Sequence, residues 1–547
     1  MARSPEAVEI SEKQYNELLK RVERKELSDE DWTWVVKLLK AYWSLIRFIE
    51  YQKVSLQKLR RLLFGKKSEK TGKSTQTKDA DAQAEQDPTQ STSVSSTQQS
   101  SDPKKNPKKA KAPGHGRRPH DSWENAEQIW HPHTELKSGC ACPRCKTGKL
   151  YPYADPAVWV RIMGQAPLVA EVHKAERLRC NPCGALFTAR VPQELQTNPP
   201  EANVTAAIIK YQAATPFHRQ AEVQKNFGHP IPRTRISDMC VEATRPAVPV
   251  IQTLVELAAQ GEILQNDDTG MTVLQLVKEV KEAEKAGAPL ARTGMNTSVI
   301  VSRAGDKRIY LFFTGRDHAG ENLKKVLGHR SPDRPPPIQV CDPLSANTST
   351  GVIPEEAVAG CHDHARRKYV EIRDTYPTSC QYVLDEWKTI YETDALAKQQ
   401  NLDPPVRLSL HQKHSHPVME RLYEWSTRQL EDKIVEPNSH LGAAISYFLK
   451  NYSRLTLFLR KPGIPLSNCE CEQAIKVVIG LRNMAYFFKT MKGAAVGDIM
   501  FSLIATCKAA KVNLFHYLVT LQKNEKAVAL APNLWLPWNY ATQLKAA

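Results

Sequence analysis

Residues 263–277 read "ILQNDDTGMTVLQLV". Two adjacent aspartates, Asp267 and Asp268, interrupt a stretch that otherwise has the apolar character of a buried strand. A buried carboxylate is costly unless something neutralises it, so this position demands a partner. Further strand-like runs follow. "EILQND" and "TVLQLVK" form the first block, then "TSVIVSR" (297–303) and "RIYLFFT" (308–314). "HAGENLKKVLG" (318–328) reads as a helix, and "IQVCD" (338–342) as a strand ending in another acid, Asp342.

Three apolar strands, a helix and a further strand closing on an aspartate is the order of a ribonuclease-H-like α/β domain. In that arrangement the first and fourth strands are neighbours, so Asp267 and Asp342 converge. A third acid is expected on a later helix. The candidate is Glu472 in "SNCECEQAIKVVIGLRN" (467–483), where Ala474, Ile475, Val478 and Ile479 supply a helical apolar face. The intervening stretch, about 370–465, reads as helices and is expected to sit outside the sheet as an insertion. Three carboxylates favour hard divalent cations, Mg²⁺ or Mn²⁺. Two such ions would activate a water or 3′-hydroxyl and neutralise the leaving oxygen in phosphoryl transfer on DNA. The competing reading is that Asp267 and Asp268 cap a strand end and contact backbone amides or arginines.

The flanking regions point to nucleic acid as well. Lys and Arg outnumber Asp and Glu by 76 to 59, a net charge of +17, which favours a polyanionic partner. Seven Lys and Arg between Lys104 and Arg118 face no acid, which suits phosphate contact without base reading. They include Lys104, Lys105, Lys108, Lys109, Arg117 and Arg118. Two C-x-x-C pairs, Cys142/Cys145 and Cys180/Cys183, are spaced for a closed four-thiolate Zn²⁺ site of the zinc-ribbon kind, with Cys140 an alternative to Cys142. Upstream, Val35, Leu38, Tyr42, Leu45, Ile49, Gln52, Leu56, Leu59 and Leu63 alternate spacings of three and four, a coiled-coil seam or an amphipathic helix packed on its own protein. Residues 71–101 are almost all polar or charged and read as a disordered linker. "PFHRQAEVQKNFGHPIPRTRISDMCVEAT" (216–244) reads as helix, turn near Gly228 and second helix, compatible with a helix-turn-helix or with an ordinary helical hairpin. No apolar run is long enough for a membrane span and no signal peptide is evident, so a cytoplasmic address is expected. Twelve cysteines, several of them closely spaced, suit a reducing compartment.

Several of these phrases together resemble one family, the large transposase of the IS-sixty-six insertion sequences. "RLLFGKKSEK" (61–70), "GHGRRP" (114–119), "NDDTGMTVL" (266–274), "VCDPLSAN" (340–347), "AGCHDHARRKY" (359–369), "CEQAIK" (471–476) and "LWLPWNY" (534–540) fall in the family's order. The resemblance implies a DDE transposase that acts by two-metal phosphoryl transfer, with Asp267, Asp342 and Glu472 as metal-binding catalytic acids. It places Asp268, Cys361 and His364 in support of the site, with Arg366 and Arg367 as phosphate contacts. Zn²⁺ with Cys361, His362 and His364 is an alternative role for that element. The implied partners are double-stranded DNA, further copies of the chain and small accessory proteins of the same element, in a bacterial, nucleoid-associated setting. The chain departs from the pattern at Ser467, Asn468, Cys469 and Gln473, where the family commonly shows Asp-Asn-Asn before its glutamate and Arg after it. That departure motivates a second reading, a catalytically weakened, transposase-derived, zinc-containing DNA-binding protein. A plain ribonuclease-H-like nuclease is a third.

The expected fold is α/β plus α. A coiled-coil segment (1–70) and basic linker (71–113) lead into a zinc-ribbon-like module (114–196) and a helical region (197–262). A catalytic domain (263–515) with its helical insertion and a C-terminal tail (516–547) complete the chain.

Overall fold

The computed structural model describes residues 12–24, 26–42, 135–151, 164–179, 186–190, 192, 195, 197–287, 292–343, 346–348 and 351–546. The linker and the basic run lie wholly outside these residues, as do Cys180, Cys183 and the seam positions from Leu45 to Leu63. The chain divides into two compact units, one of residues 68–165 and one of residues 1–67 with 166–547.

The larger unit is built on a five-stranded mixed sheet surrounded by helices. Its strands are β1 (Ile263–Gly270), β2 (Asn296–Ala304), β3 (Lys307–Gly315), β4 (Ile338–Cys341) and β5 (Val358–Gly360). The spatial order is β3-β2-β1-β4-β5. β1 and β2 pair antiparallel, as do β2 and β3, through a turn at Gly305, whose φ is +58°. β4 joins β1 in parallel and β5 joins β4 in parallel. The parallel pairs need crossovers, and α1 (Ala319–Leu327) supplies the first. Central positions Leu264, Val299, Ile300, Val301 and Val340 are fully buried, as expected of strands covered on both faces.

One expected strand is absent. "TVLQLVK" contributes only the two-residue strand Thr272–Val273 before turning into helix Leu274–Lys285. Its buried residues, Val273, Leu276 and Val280, fall three and four apart, a helical period that a short apolar run conceals. β5, by contrast, is a strand the sequence reading did not expect.

Helices Phe217–Asn226 and Arg233–Thr244 flank a turn at Gly228 (φ +82°), as the sequence indicates. They do not stand apart from the sheet. Ile236, Met239 and Cys240 share one core with Val299, Leu311 and Phe501. The segment read as a tail is packed too, since Tyr517 and Leu518 are fully buried and the Tyr517 hydroxyl donates to the Trp535 carbonyl at 2.7 Å. The boundaries expected at 262 and 515 therefore cut through a single core.

The helical insertion is present. α2 (His362–Ile372) leaves β5, and helices Pro377–Gln399, Pro404–His414, His416–Glu431 and His440–Lys450 follow. They enclose their own core around Trp387, Ile390, Met419 and Phe448, joined at its edge by Ile263, Val340 and Ala359 of the sheet. The chain then returns through α3 (Cys469–Ala485) and α4 (Met491–Ala509). Near the N-terminus, helix Glu12–Arg24 and residues 29–42 form two helices linked by Arg21–Asp31 at 3.0 Å, with Val35 and Leu38 half-buried and Tyr42 exposed. Among the described residues no helix is long and apolar enough to cross a membrane.

Candidate functional site: an acidic cluster at the β1–β4 edge

Side chains alternate along a strand, so Asp267 and Asp268 must face opposite ways. Gln265, on the Asp267 side, donates from Nε2 to Glu470 of α3 at 3.1 Å. Asp268 faces α1, where its Oδ2 accepts from the Ala319 amide at 2.9 Å and lies 3.1 Å from His318 Nδ1. Asn266 is on that face as well, donating to the Asn347 carbonyl at 2.7 Å. Asp268 thus caps the start of α1, whereas Asp267 Oδ1 accepts the amide of its own neighbour Asp268 at 2.9 Å.

Asp342 follows directly on β4. The parallel register pairs Ile263 with Ile338, Leu264 with Gln339 and Gln265 with Val340. The last paired residues, Gln265 and Val340, each stand two positions before an acid, Asp267 on β1 and Asp342 just after β4. Tyr447, from the helical insertion, donates its hydroxyl to Asp342 Oδ1 at 3.1 Å.

The third acid arrives on α3, which is anchored to β1 at both ends. Near its start Glu470 pairs with Arg303 at 3.1 Å and Arg308 at 3.3 Å, besides Gln265. Near its end Arg482 donates to Thr269 Oγ1 at 2.9 Å and to the Gly270 carbonyl at 2.6 Å. Glu472 is held between these anchors. His364 on α2 lies between the acids, with Nε2 3.6 Å from Asp342 and Nδ1 3.7 Å from Glu472. Arg367 reaches the other Glu472 oxygen at 3.7 Å, whereas Arg366 is exposed. Neither Glu470 nor Arg482 was singled out from the sequence. Their signal was a charge on each side of Glu472 within one helix, too common a pattern to stand out.

Electrostatics follow from this crowding. Burial pushes the Asp267 carboxyl up to about 6; the Asp268 amide and His364 oppose the rise, and the Glu472 and Asp268 carboxylates add to it. Glu472 Oε1 and His364 Nδ1 are both buried without a hydrogen-bond partner. Close carboxylates with an orphaned buried oxygen are a donor set that fits hard divalent cations. Cys361, fully buried, adds a sulfur whose donor atom lies within 4.8 Å of those of His364 and Glu472.

His362 is not part of this cluster. Its Nε2 lies 2.8 Å from the Leu455 carbonyl, and its Nδ1 accepts from Trp387 Nε1 at 3.1 Å. Burial holds its pKa down at about 4, so it is a neutral core histidine and not a metal ligand.

In the smaller unit, Cys142 and Cys145 sit on a tight turn in which the Cys142 amide donates to the Gly148 carbonyl at 2.7 Å and Lys146 has φ +61°. The Gly148 amide leads the groups that draw the Cys145 thiol down to about 6. Strands Arg177–Arg179 and Leu186–Thr188 of the larger unit pair antiparallel on either side of the undescribed Cys180 and Cys183. Lys104, Lys105, Lys108, Lys109, Arg117 and Arg118 also lie outside the described residues.

A mixed α/β sheet flanked by helices, with acids gathered at the carboxyl ends of adjacent parallel strands, is consistent with a transposase domain. Residues 199–496 match the Transposase IS66 family, and the chain belongs to that family. It is also similar to an uncharacterized protein, y4hP, of Sinorhizobium fredii (strain NBRC 101917 / NGR234), 24% identical over 359 residues. That match covers 61% of each chain, so this protein spans under two thirds of that relative's length.

Proposed function

We propose that the protein is a DDE transposase with a ribonuclease-H-like catalytic core, which cleaves DNA at insertion-sequence ends and joins those ends to target DNA. The observation that supports this reading is His364, whose ring nitrogens lie 3.6 Å from Asp342 and 3.7 Å from Glu472, together with a parallel β1–β4 pairing that ends two residues before Asp267 and Asp342. Strand order β3-β2-β1-β4-β5, with its antiparallel start and parallel finish, supports the ribonuclease-H-like assignment.

In this reading Asp267, Asp342 and Glu472 hold two Mg²⁺ or Mn²⁺ ions. When bound, the ions lower the pKa of a water or 3′-hydroxyl and offset charge on the leaving oxygen. The Tyr447 hydroxyl fixes one Asp342 oxygen and so aims the other. His364 positions Asp342 and Glu472, and exposed Arg366 contacts phosphate. Cys142 and Cys145, on their tight turn, offer two thiolates to a structural Zn²⁺ ion. The basic run bearing Lys104, Lys105, Lys108, Lys109, Arg117 and Arg118 adds sequence-independent affinity for double-stranded DNA, in a cytoplasmic, nucleoid-associated setting. The N-terminal helices assemble copies of the chain through a coiled coil, and small accessory proteins of the same element join the complex.

The test is a cleavage and strand-transfer assay on element-end DNA with Mg²⁺. Asp267→Asn, Asp342→Asn and Glu472→Gln should each abolish cleavage while DNA affinity stays within a few-fold. Retained cleavage in all three would refute the site. Binding without cleavage by the unaltered chain would instead support a transposase-derived DNA-binding protein weakened at Ser467, Cys469 and Gln473.

A further inference from the structure

The acids account for only part of what lines this cluster. Cys361 is the residue before α2, and its side chain is fully buried. Its sulfur and ligand atoms of His364 and Glu472 lie within 4.8 Å of one another. Ordinary core packing would leave these groups hydrogen-bonded, yet His364 Nδ1 and Glu472 Oε1 lie 3.7 Å apart and neither makes a hydrogen bond. Asn468, at the N-cap of α3, deepens the anomaly. It is fully buried, its side chain caps nothing, and both its amide oxygen and nitrogen lack partners. Its backbone amide points at the Cys361 sulfur, and its carbonyl accepts from the Glu472 amide at 3.2 Å. Three ligand atoms of mixed type therefore crowd one spot, and the backbone of Asn468 is joined to two of the residues that supply them.

We propose that Cys361, His364 and Glu472, with Asn468 beside them, bind one borderline transition-metal ion of the Zn²⁺ class, distinct from the hard ions at Asp267 and Asp342. Sulfur and imidazole nitrogen select such ions over Mg²⁺, which prefers oxygen donors. The reading rests in part on the proposed role of Glu472, because that carboxylate is then shared between a hard-ion site and a softer one. The incoming ion displaces the Cys361 thiol proton to solvent as the metal–sulfur bond forms. A chain so equipped would also respond to Zn²⁺, since an ion held there withdraws Glu472 from the hard pair.

Co²⁺ titration of the purified full-length chain tests this directly. The Cys180→Ser variant serves as background, so that a ribbon site does not mask the signal. Expected are a thiolate-to-cobalt charge-transfer band with tetrahedral d–d bands, one proton released from Cys361, and persistence of the spectrum in a large excess of Mg²⁺. Cys361→Ser should remove the charge-transfer band, and His364→Ala, at a partly exposed position that tolerates truncation, should remove one equivalent of Co²⁺. Thermal melts confirm that each variant folds. The proposal is overturned if both variants keep the wild-type spectrum, or if Mg²⁺ displaces the ion. Mg²⁺-dependent cleavage that persists without any such spectrum would sink this site and leave the transposase reading standing.

Discussion

Asp267 and Asp268 are neighbours in sequence with opposite tasks. Asp268 satisfies the start of α1, and truncating it to Ala should cost about 1 kcal/mol, as loss of a helix cap does. Asp267 costs stability in the metal-free chain. Its pKa, near 6, stands above the ordinary 3.8, so the folded state holds a proton the unfolded chain would release. Its favourable contribution is complete below 3.8 and is lost as pH rises through about 6. In chelated protein, Asp267→Asn should therefore match wild type at pH 4 and exceed it at pH 7.5 by about 1–3 kcal/mol, at 1.36 kcal/mol per unit. Denaturant melts at the two pH values check this, and an equal difference at both would contradict it. Added Mn²⁺ should reverse the order at pH 7.5. The opposed facing of the two aspartates was legible in the sequence, because strand alternation requires it once β1 is recognised. Which of the two faces the cluster depends on where α1 and α3 pack, and in the sequence only the family resemblance singles out Asp267.

At the scale of elements, four of the five sheet strands were readable from apolar runs, and their order was enough to expect β1 and β4 side by side. β5 escaped because three residues, Val358–Gly360, offer no periodicity to detect. The Thr272–Val273 strand was overextended because helix Leu274–Lys285 begins within the same apolar run. Placement of Glu472 depends on the anchors of α3. Arg482→Ala frees the end of α3 from Thr269 and Gly270, and should lower stability by about 1–2 kcal/mol, two hydrogen bonds to a charged group being lost. It should slow cleavage more than it weakens DNA binding, which single-turnover assays beside binding isotherms would resolve. A close approach matters as well. A Cβ on Gly320 in α1 would lie 2.6 Å from the Thr348 carbonyl and 3.0 Å from that of Ala346, backbone atoms of the loop that follows Asp342. The same glycine's amide donates to the Ala346 carbonyl at 3.1 Å, so the fold has no slack there.

For the whole molecule, packing does not follow the shifts of composition along the chain. The helical region before the sheet and the segment after residue 515 share one core with it, a union that no local composition shift announces. With +17 overall, affinity for DNA should be dominated by counterion release. For a footprint of about 6–10 phosphates, raising salt from about 50 to 200 mM should weaken binding by about 10³–10⁵-fold, with a linear log–log slope. A flat salt response in fluorescence anisotropy would argue against a phosphate-based interface.

The long detour between β4 and α3 also has a consequence during synthesis. The ribosome delivers Asp267 and Asp342 early, but Glu472 only after the whole insertion has emerged. Until then Val299 and Val301 lack the covering that α3 provides. On the proposed function, a chain that ends within the insertion lacks Glu472, the third metal-binding acid, and should hold DNA without cutting it.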